Sequence, residues 1–284
     1  MPRSPRDRPA APRAGTNPDG DGPGPEIGEN VFSPGLRVHL EIEAGYYDRV
    51  FSRGRGIQWF WHSRRLELVR KNLPPEATRV VDLGCGAGTF LGRFLPDSAG
   101  GVGVDFAGPQ VQYARLHYAR PGLEFREGDA TRFESNRPFD AAVSVELIEH
   151  LPREQTRAFL ATVRKLLVPG GTLVLVTPNY RSAWPVTEWL ISKYGPVDYL
   201  AQHVNPFTRE RLVRAVTEAG FHVTKCESFF VAAPFLAALS TRAAETVLGW
   251  ERSLLPGLGS ELLLVARIPV PDRAPNAGTD HAAD

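Results

Sequence analysis

VVDLGCGAGTF (residues 80–90) starts as a run of apolar, β-branched residues, passes through Asp82 and turns on Gly84, Gly86 and Gly88 ahead of the helical run TFLGRFL. Glycines at alternate positions let the backbone turn tightly and let a ligand lie against the main chain beside a helix N-terminus. The later glycine or alanine of the dinucleotide fingerprint is missing. An acid ahead of the glycines is awkward beside a pyrophosphate and suits a cationic ligand.

Outward from this stretch, short β-rich runs alternate with amphipathic ones. GVGVDF (101–106), LEFREGD (123–129), FDAAVSVE (139–146) and GTLVLVTPN (171–179) read as strands, as do FHVTKCESFFV (221–231) and SELLLVARI (260–268). With residues 79–84 they make seven. Helical spacing follows in PQVQYARLHYA and in REQTRAFLATVRKLL, which is closed by Pro169-Gly170-Gly171. TRERLVRAVTEAG has Thr208 as N-cap and ends on Gly220. The alternation predicts an α/β, doubly wound sheet with the ligand crevice at the C-terminal strand ends.

Three segments lie outside this minimal pattern and are expected to cap the crevice: residues 36–73, helical and broken at Gly54 and Gly56, the Trp- and Tyr-rich 180–205, and 232–259. Tyr46, Tyr47, residues 59–61, residues 180–189 and the helix over 232–250 are the expected pocket walls. So many aromatic rings suit an apolar or ring-bearing substrate. For 232–259 a helix packed flat on the core is the competing expectation. Residues 1–29 and 271–284, rich in Pro, Gly and charge, are expected to be disordered.

A formal net charge of +1 steers the chain toward neither nucleic acid nor anionic membrane, and no local Lys/Arg run forms a basic track. No apolar run reaches the roughly 20 residues needed to span a bilayer. An apolar helix at the pocket mouth would still allow peripheral membrane contact to collect a lipid-linked acceptor. The two cysteines, Cys85 and Cys226, form no framework, and with no signal-peptide core at the N-terminus a cytoplasmic location is expected. Nothing sets the oligomeric state.

Twenty-three residues after Asp82 the second strand ends in Asp105, placed to accept from ribose hydroxyls. The third ends in Asp129-Ala130, where a carboxylate can accept from an exocyclic amine. An amino-acid end, a ribose and an adenine together describe S-adenosylmethionine (SAM).

From about residue 36 to 268 the chain resembles the class I SAM-dependent methyltransferases. DLGCGAG, GVGVDFA and EGDATRF match that family's first three motifs, and VPGGTLVLVTPN matches its fifth strand. The resemblance implies a Rossmann-like, mostly parallel sheet with an antiparallel last strand. It also implies that Asp82, Gly84, Gly86 and Gly88 hold the methionine part and that Asp105 binds the ribose. Phe106 would lie beside the adenine, Asp129 and the Ala130 backbone would meet its amine, and Val145 would line the site near the methyl. Gly88 and Phe106 have competing roles in helix packing and in the core.

SVELIEHL (144–151) closes the fourth strand with Glu146, Glu149 and His150. This Glu-x-x-Glu-His is similar to that of ubiquinone-biosynthesis O-methyltransferases, where an arginine on the preceding helix reaches the cofactor carboxylate; the matching position is Arg64. The same pattern occurs in small-RNA 3′-end methyltransferases, where it binds a divalent metal, so an RNA 2′-O-methyltransferase is the alternative function, with a non-catalytic SAM-binding module as another. A helical turn from Glu146 would put Glu146, Glu149 and His150 on one face. With His203 as a fourth ligand they would suit Mg²⁺, Mn²⁺ or Zn²⁺. His150 as general base with a carboxylate orienting it, and a purely structural role, stay open beside the metal. The Asn-Pro-Pro-Tyr motif of amino-group methyltransferases is absent here, which favours oxygen as the acceptor over nitrogen and leaves carbon open.

Overall fold

The protein is described by a computed structural model covering residues 43–194 and 202–270. The expected tails, residues 36–42 of the first cap and residues 195–201 of the second lie outside the described residues. Two helices, α1 (Tyr46–Ser52) and α2 (Ile57–Lys71), precede the sheet. Then follow β1 (Arg79–Leu83), α3 (Thr89–Phe94), β2 (Gly100–Asp105), α4 (Gly108–Tyr118), β3 (Leu123–Glu127) and β4 (Phe139–Val145). A single 3₁₀ turn, Ile148–His150, leads into α5 (Arg153–Leu166) and β5 (Leu167–Pro178). The rest is α6 (Trp184–Tyr194), α7 (Arg209–Glu218), β6 (His222–Phe229), α8 (Ala233–Leu236), α9 (Thr241–Leu254) and β7 (Glu261–Arg267).

The strands join in one sheet of order β3-β2-β1-β4-β5-β7-β6. Pairing is parallel from β3 through β5, and β7 runs antiparallel to both of its neighbours. The chain reverses its direction of travel between β1 and β4, so the C-terminal ends of these two strands open the crevice in which such folds bind ligands. Side chains alternate between the faces with the period of two that a pleated strand imposes. On β5, Val174 and Val176 face α2, α3, α4, α8 and α9, whereas Leu173 and Leu175 face α5 and α7. Burial on both faces explains why these strands read as continuous apolar runs.

Two local readings shift. β5 begins at Leu167, four residues ahead of the expected start, because Pro169 and Gly170 fit a register shift against Phe139 and Ala141 instead of ending the pairing. The segment 232–259 forms two helices, and α9 packs Ala244 and Leu248 flat on the core. Thr208 caps α7 as expected, its hydroxyl accepting from the Arg211 amide at 3.4 Å.

A feature with no sequence motif fastens α1 over the crevice. Buried Asp48 accepts from Arg93 at 2.7 Å and from Tyr113 at 2.9 Å, and also from Tyr118. Burial opposes ionisation here, yet the bonds from Arg93, Tyr118 and Tyr113 hold the carboxyl below its ordinary range.

The three glycines after β1 divide by environment. All have positive φ, from +50° to +83°. A Cβ on Gly88 would lie 2.6 Å from the Phe125 ring and 2.8 Å from Ala114, while one on Gly86 would meet nothing within 4 Å. Gly88→Ala therefore combines left-handed strain with a clash between α4 and β3 and should lower stability by about 2–4 kcal/mol; Gly86→Ala should lose only about 1–2 kcal/mol. Urea unfolding of the two variants checks the difference, and equal losses would refute the packing role of Gly88.

Candidate active site

The crevice is a cavity of about 440 Å³ lined in part by Asp82, Gly84, Gly86, Asp105, Phe106 and Val145. A recess of about 30 Å³ adjoins it, sharing Gly84, Asp105, Phe106 and Leu147 and adding Asp129 and Ala130. Apart from Gly88, the residues assigned by sequence to the methionine, ribose and adenine ends line these two adjoining cavities. Gly88 lies outside the lining of both cavities, and its place is the helix contact described above.

Charge in the trough is dominated by carboxyls. Asp82 is 3% exposed, lines the cavity and takes no side-chain hydrogen bond among the described residues. Burial, with the charge of Asp105 beside it, pushes the Asp82 carboxyl up to about 8. Asp105 accepts from the Gly86 amide at 2.7 Å through Oδ2 and from the Ala107 amide at 2.9 Å through Oδ1, which shapes the glycine loop. Asp129 binds the amide and hydroxyl of Thr131, at 2.8 and 2.7 Å, fixing the turn after β3.

Arg64, the arginine that the resemblance singles out, does not line the cavity. Arg64 pairs with Glu67 and Glu245 and lies over the Trp59 and Phe60 rings, away from the cavity lining. Successive helical residues are about 100° apart, so its neighbour Arg65 faces inward and lines the cavity. The Arg65 Nη1 lies 3.0 Å from Glu146 and 3.1 Å from Glu261, and its Nη2 donates to His62 Nδ1 at 2.7 Å. Trp61 donates to the same Glu261. Burial pushes the His62 imidazole well down, and the Arg65 charge pushes it further. Sequence reasoning missed Glu261 and His62. An acid at the head of the apolar strand ELLLVAR, and a histidine three positions before Arg65 on α2, were the available signals.

Glu146, Glu149 and His150 do not share a face. Glu146 takes φ +55°, unusual for a side chain larger than glycine, and its carboxylate turns to Arg65. The 3₁₀ turn that follows sends Glu149 inward, where it is fully buried and accepts from the Thr177 hydroxyl at 2.8 Å. Among the described residues, the ligand atoms of Glu149, His150 and His203 lie within 4.8 Å of one another, and Glu146 is not part of that group. The second Glu149 oxygen, Oε1, is buried without a hydrogen bond and lies 3.9 Å from His150 Nε2. Burial and the Glu146 charge push the Glu149 carboxyl well up.

His203 is held by Glu188, and its Nδ1 lies 2.9 Å from the Tyr180 hydroxyl. His150 Nδ1 contacts the Gln202 carbonyl at 3.1 Å. Asn205 ties this return segment down. Its amide donates to the Glu149 carbonyl at 3.0 Å, and its side chain donates to Leu151 and Thr156, at 3.2 and 3.1 Å. Its carbonyl oxygen accepts from Arg211 at 3.3 Å. Of the expected aromatic walls, Tyr47, Trp61, Trp184 and Phe235 line the cavity, whereas Tyr46 and Trp59 do not.

The chain is similar to known methyltransferases. A ubiquinone biosynthesis O-methyltransferase of Xylella fastidiosa is 31% identical over 119 residues, 40% of this chain and 48% of the relative. The chain spans about half the length of the curated relatives it matches. A chain from the complex between the Haloferax volcanii Trm112 methyltransferase activator and a methyltransferase superposes with a TM-score of 0.58 at 23% identity, over 82% of this chain and 97% of that one. Geranyl diphosphate methyltransferase, solved with GPP and sinefungin, gives 0.56 at 16% identity over 83% and 98%. These likenesses carry the fold alone. The family model described as "Methyltransferase domain" matches residues 57–225, well over half of the protein, and the chain belongs to that family of SAM-dependent methyltransferases.

Proposed function

We propose that the chain transfers the methyl group of SAM to a hydroxyl oxygen of an apolar or ring-bearing small molecule, free or lipid-linked, with His150 accepting the proton. The observation that carries this reading is the hydrogen bond of His150 to the Gln202 carbonyl. A carbonyl only accepts, so Nδ1 carries the proton and Nε2 is the acceptor nitrogen, which is what a general base requires. His150 is 2% exposed and lines the cavity beside Val145 and Glu146, at the end of the trough where an acceptor would meet the methyl.

The residues present fit SAM. Asp82, unpartnered and facing the cavity, would hold the cationic amino-acid end, and the open space over Gly86 leaves room for it. Asp105, a carboxylate with two oxygens, keeps acceptor capacity for ribose hydroxyls beyond its bonds to backbone amides, and Phe106 and Ala130 border the adenine recess. Bound SAM supplies an electrophilic methyl on a sulfonium. The protein's part is to align the hydroxyl, exclude water and take up the proton. Trp61, Trp184 and Phe235 supply the dry wall, and Phe235, 51% exposed, continues it to the surface, which supports an acceptor with an apolar tail.

A second, metal-assisted reading, in which His150 is a ligand instead of the base, is favoured by one observation, the convergence of Glu149, His150 and His203 around a buried carboxyl oxygen with no hydrogen bond. These three would hold a divalent cation, which would lower the pKa of an acceptor hydroxyl.

In the ligand-free protein at neutral pH Asp82 is largely protonated, because its carboxyl titrates near 8 when folded and near 4 when unfolded. Between those values the unfolded chain has lost a proton that the folded chain keeps, so stability should fall as pH rises from about 5 to 8. A cationic ligand stabilises the carboxylate, so SAM binding at pH 7 should release close to one proton. Calorimetry in two buffers of different ionisation enthalpy reads this release, and Asp82→Asn should abolish it. Buffer-independent heats would refute the role given to Asp82.

His150→Ala should lower turnover by about 10²–10⁴-fold while SAM affinity stays within about threefold. S-adenosylhomocysteine formation with a panel of phenols, with and without polyprenyl tails, is the assay. Undiminished turnover would sink the base assignment. EDTA separates the two versions: retained activity in metal-free protein excludes the cation, and loss reversed by one added metal requires it.

A further inference from the structure

Away from the crevice, on the sheet face covered by α5 and α7, the fold builds a second groove. Six cations line it: Arg153, Arg157, Arg164 and Lys165 on α5, and Arg211 and Arg214 on α7. Glu218 is the acid among its lining residues. Arg153, Arg157, Arg164, Lys165 and Arg214 are exposed and make no ion pair or side-chain hydrogen bond among the described residues. The α5 cations fall at i, i+4, i+11 and i+12, one helical face, and the α7 pair at i and i+3 faces them. Between the two rows runs an apolar floor of Leu160, Ala161, Phe207, Ala215 and Ala219. At about 1.5 Å per residue the α5 row extends for roughly 18 Å.

So concentrated an excess of unpaired positive charge, in a chain whose formal net charge is +1, calls for an anionic partner. We propose that this groove docks an acidic, amphipathic segment of another protein, with its carboxylates on the two arginine rows and its apolar side chains on the floor. Charge complementarity alone would also admit a nucleic acid or an anionic membrane, and the floor decides against both. Single-stranded nucleic acid binds through exposed rings on which bases stack, and the aromatic residue of the groove, Phe207, is 3% exposed. Membrane docking needs large apolar side chains that reach out, and the floor offers a buried leucine and alanines. The cations come from two helices some fifty residues apart in sequence, so the groove exists only in the folded chain.

The test uses the full chain and a fluorescein-labelled 18-residue amphipathic peptide of Glu, Leu and Ala, with a Gln-for-Glu copy as control. The Glu peptide should bind in the micromolar range and protect 153–166 and 209–219 from hydrogen exchange. It should weaken at least tenfold in 0.5 M salt and in the variant Arg157→Gln/Arg164→Gln/Arg214→Gln, whose exposed sites should leave the melting temperature unchanged. The Gln copy should not bind. Glu-peptide binding that survives the triple variant, or protection elsewhere, would overturn the assignment. A 20-nucleotide RNA or phosphatidylserine vesicles binding more tightly than the peptide, and losing that binding in the triple variant, would overturn it in favour of that partner.

Discussion

The guanidinium of Arg65 holds together parts of the protein that the chain supplies far apart. It lies between Glu146 at the end of β4 and Glu261 at the start of β7, while its own helix precedes the sheet. Buried charges of this kind are costly to desolvate, and removing one partner of such a set leaves the others uncompensated. The arrangement is therefore cooperative. Glu146 can hold its left-handed backbone because Arg65 fixes its side chain, and the turn that presents Glu149 and His150 starts from that backbone. α2 is fastened to the rim of the crevice through the same contact, which sets where Trp61 and His62 stand.

The electrostatics of the crevice follow from a surplus of carboxyls over cations. Asp82, Asp105, Glu149 and Glu261 all sit in low dielectric, and burial raises all four above their ordinary range. Without a cationic ligand the site keeps a proton at neutral pH on Asp82, whose carboxyl is pushed up to about 8. With one, it has carboxylates already placed around the charge. A positive charge placed beside Asp82 would relieve the cost of burying its carboxylate.

Most of the fold was legible because its signals are local and periodic. The apolar runs bounded by glycine turns gave all seven strands, and Asp82, Asp105 and Asp129 could be placed because each lies at or within two residues of the C-terminal end of a strand whose direction is known. What stayed hidden depended on rotation or on distance along the chain. Arg64 and Arg65 differ only by one helical step, and nothing in WHSRRLELV says which faces inward. Glu146 reads as the first residue of a helical turn, and only the pull of Arg65 takes it off the face it would share with Glu149 and His150. The Asp48 latch and the six cations of α5 and α7 have no motif at all, because each is assembled from segments that meet only after folding.

Asn205 has a consequence for how such a protein can change over generations. With four hydrogen bonds it joins the returning chain to the Ile148–His150 turn, to the start of α5 and to Arg211. Trp184 and Thr187, which line the cavity, precede this joint in the chain, and Tyr180 adds a second tie, its amide donating to the Phe207 carbonyl at 2.8 Å. Substitutions at Trp184 or Thr187 change the cavity wall at positions outside every strand of the sheet. That side of the cavity wall is thus an exchangeable part of the molecule, bounded by a hydrogen-bonded seam.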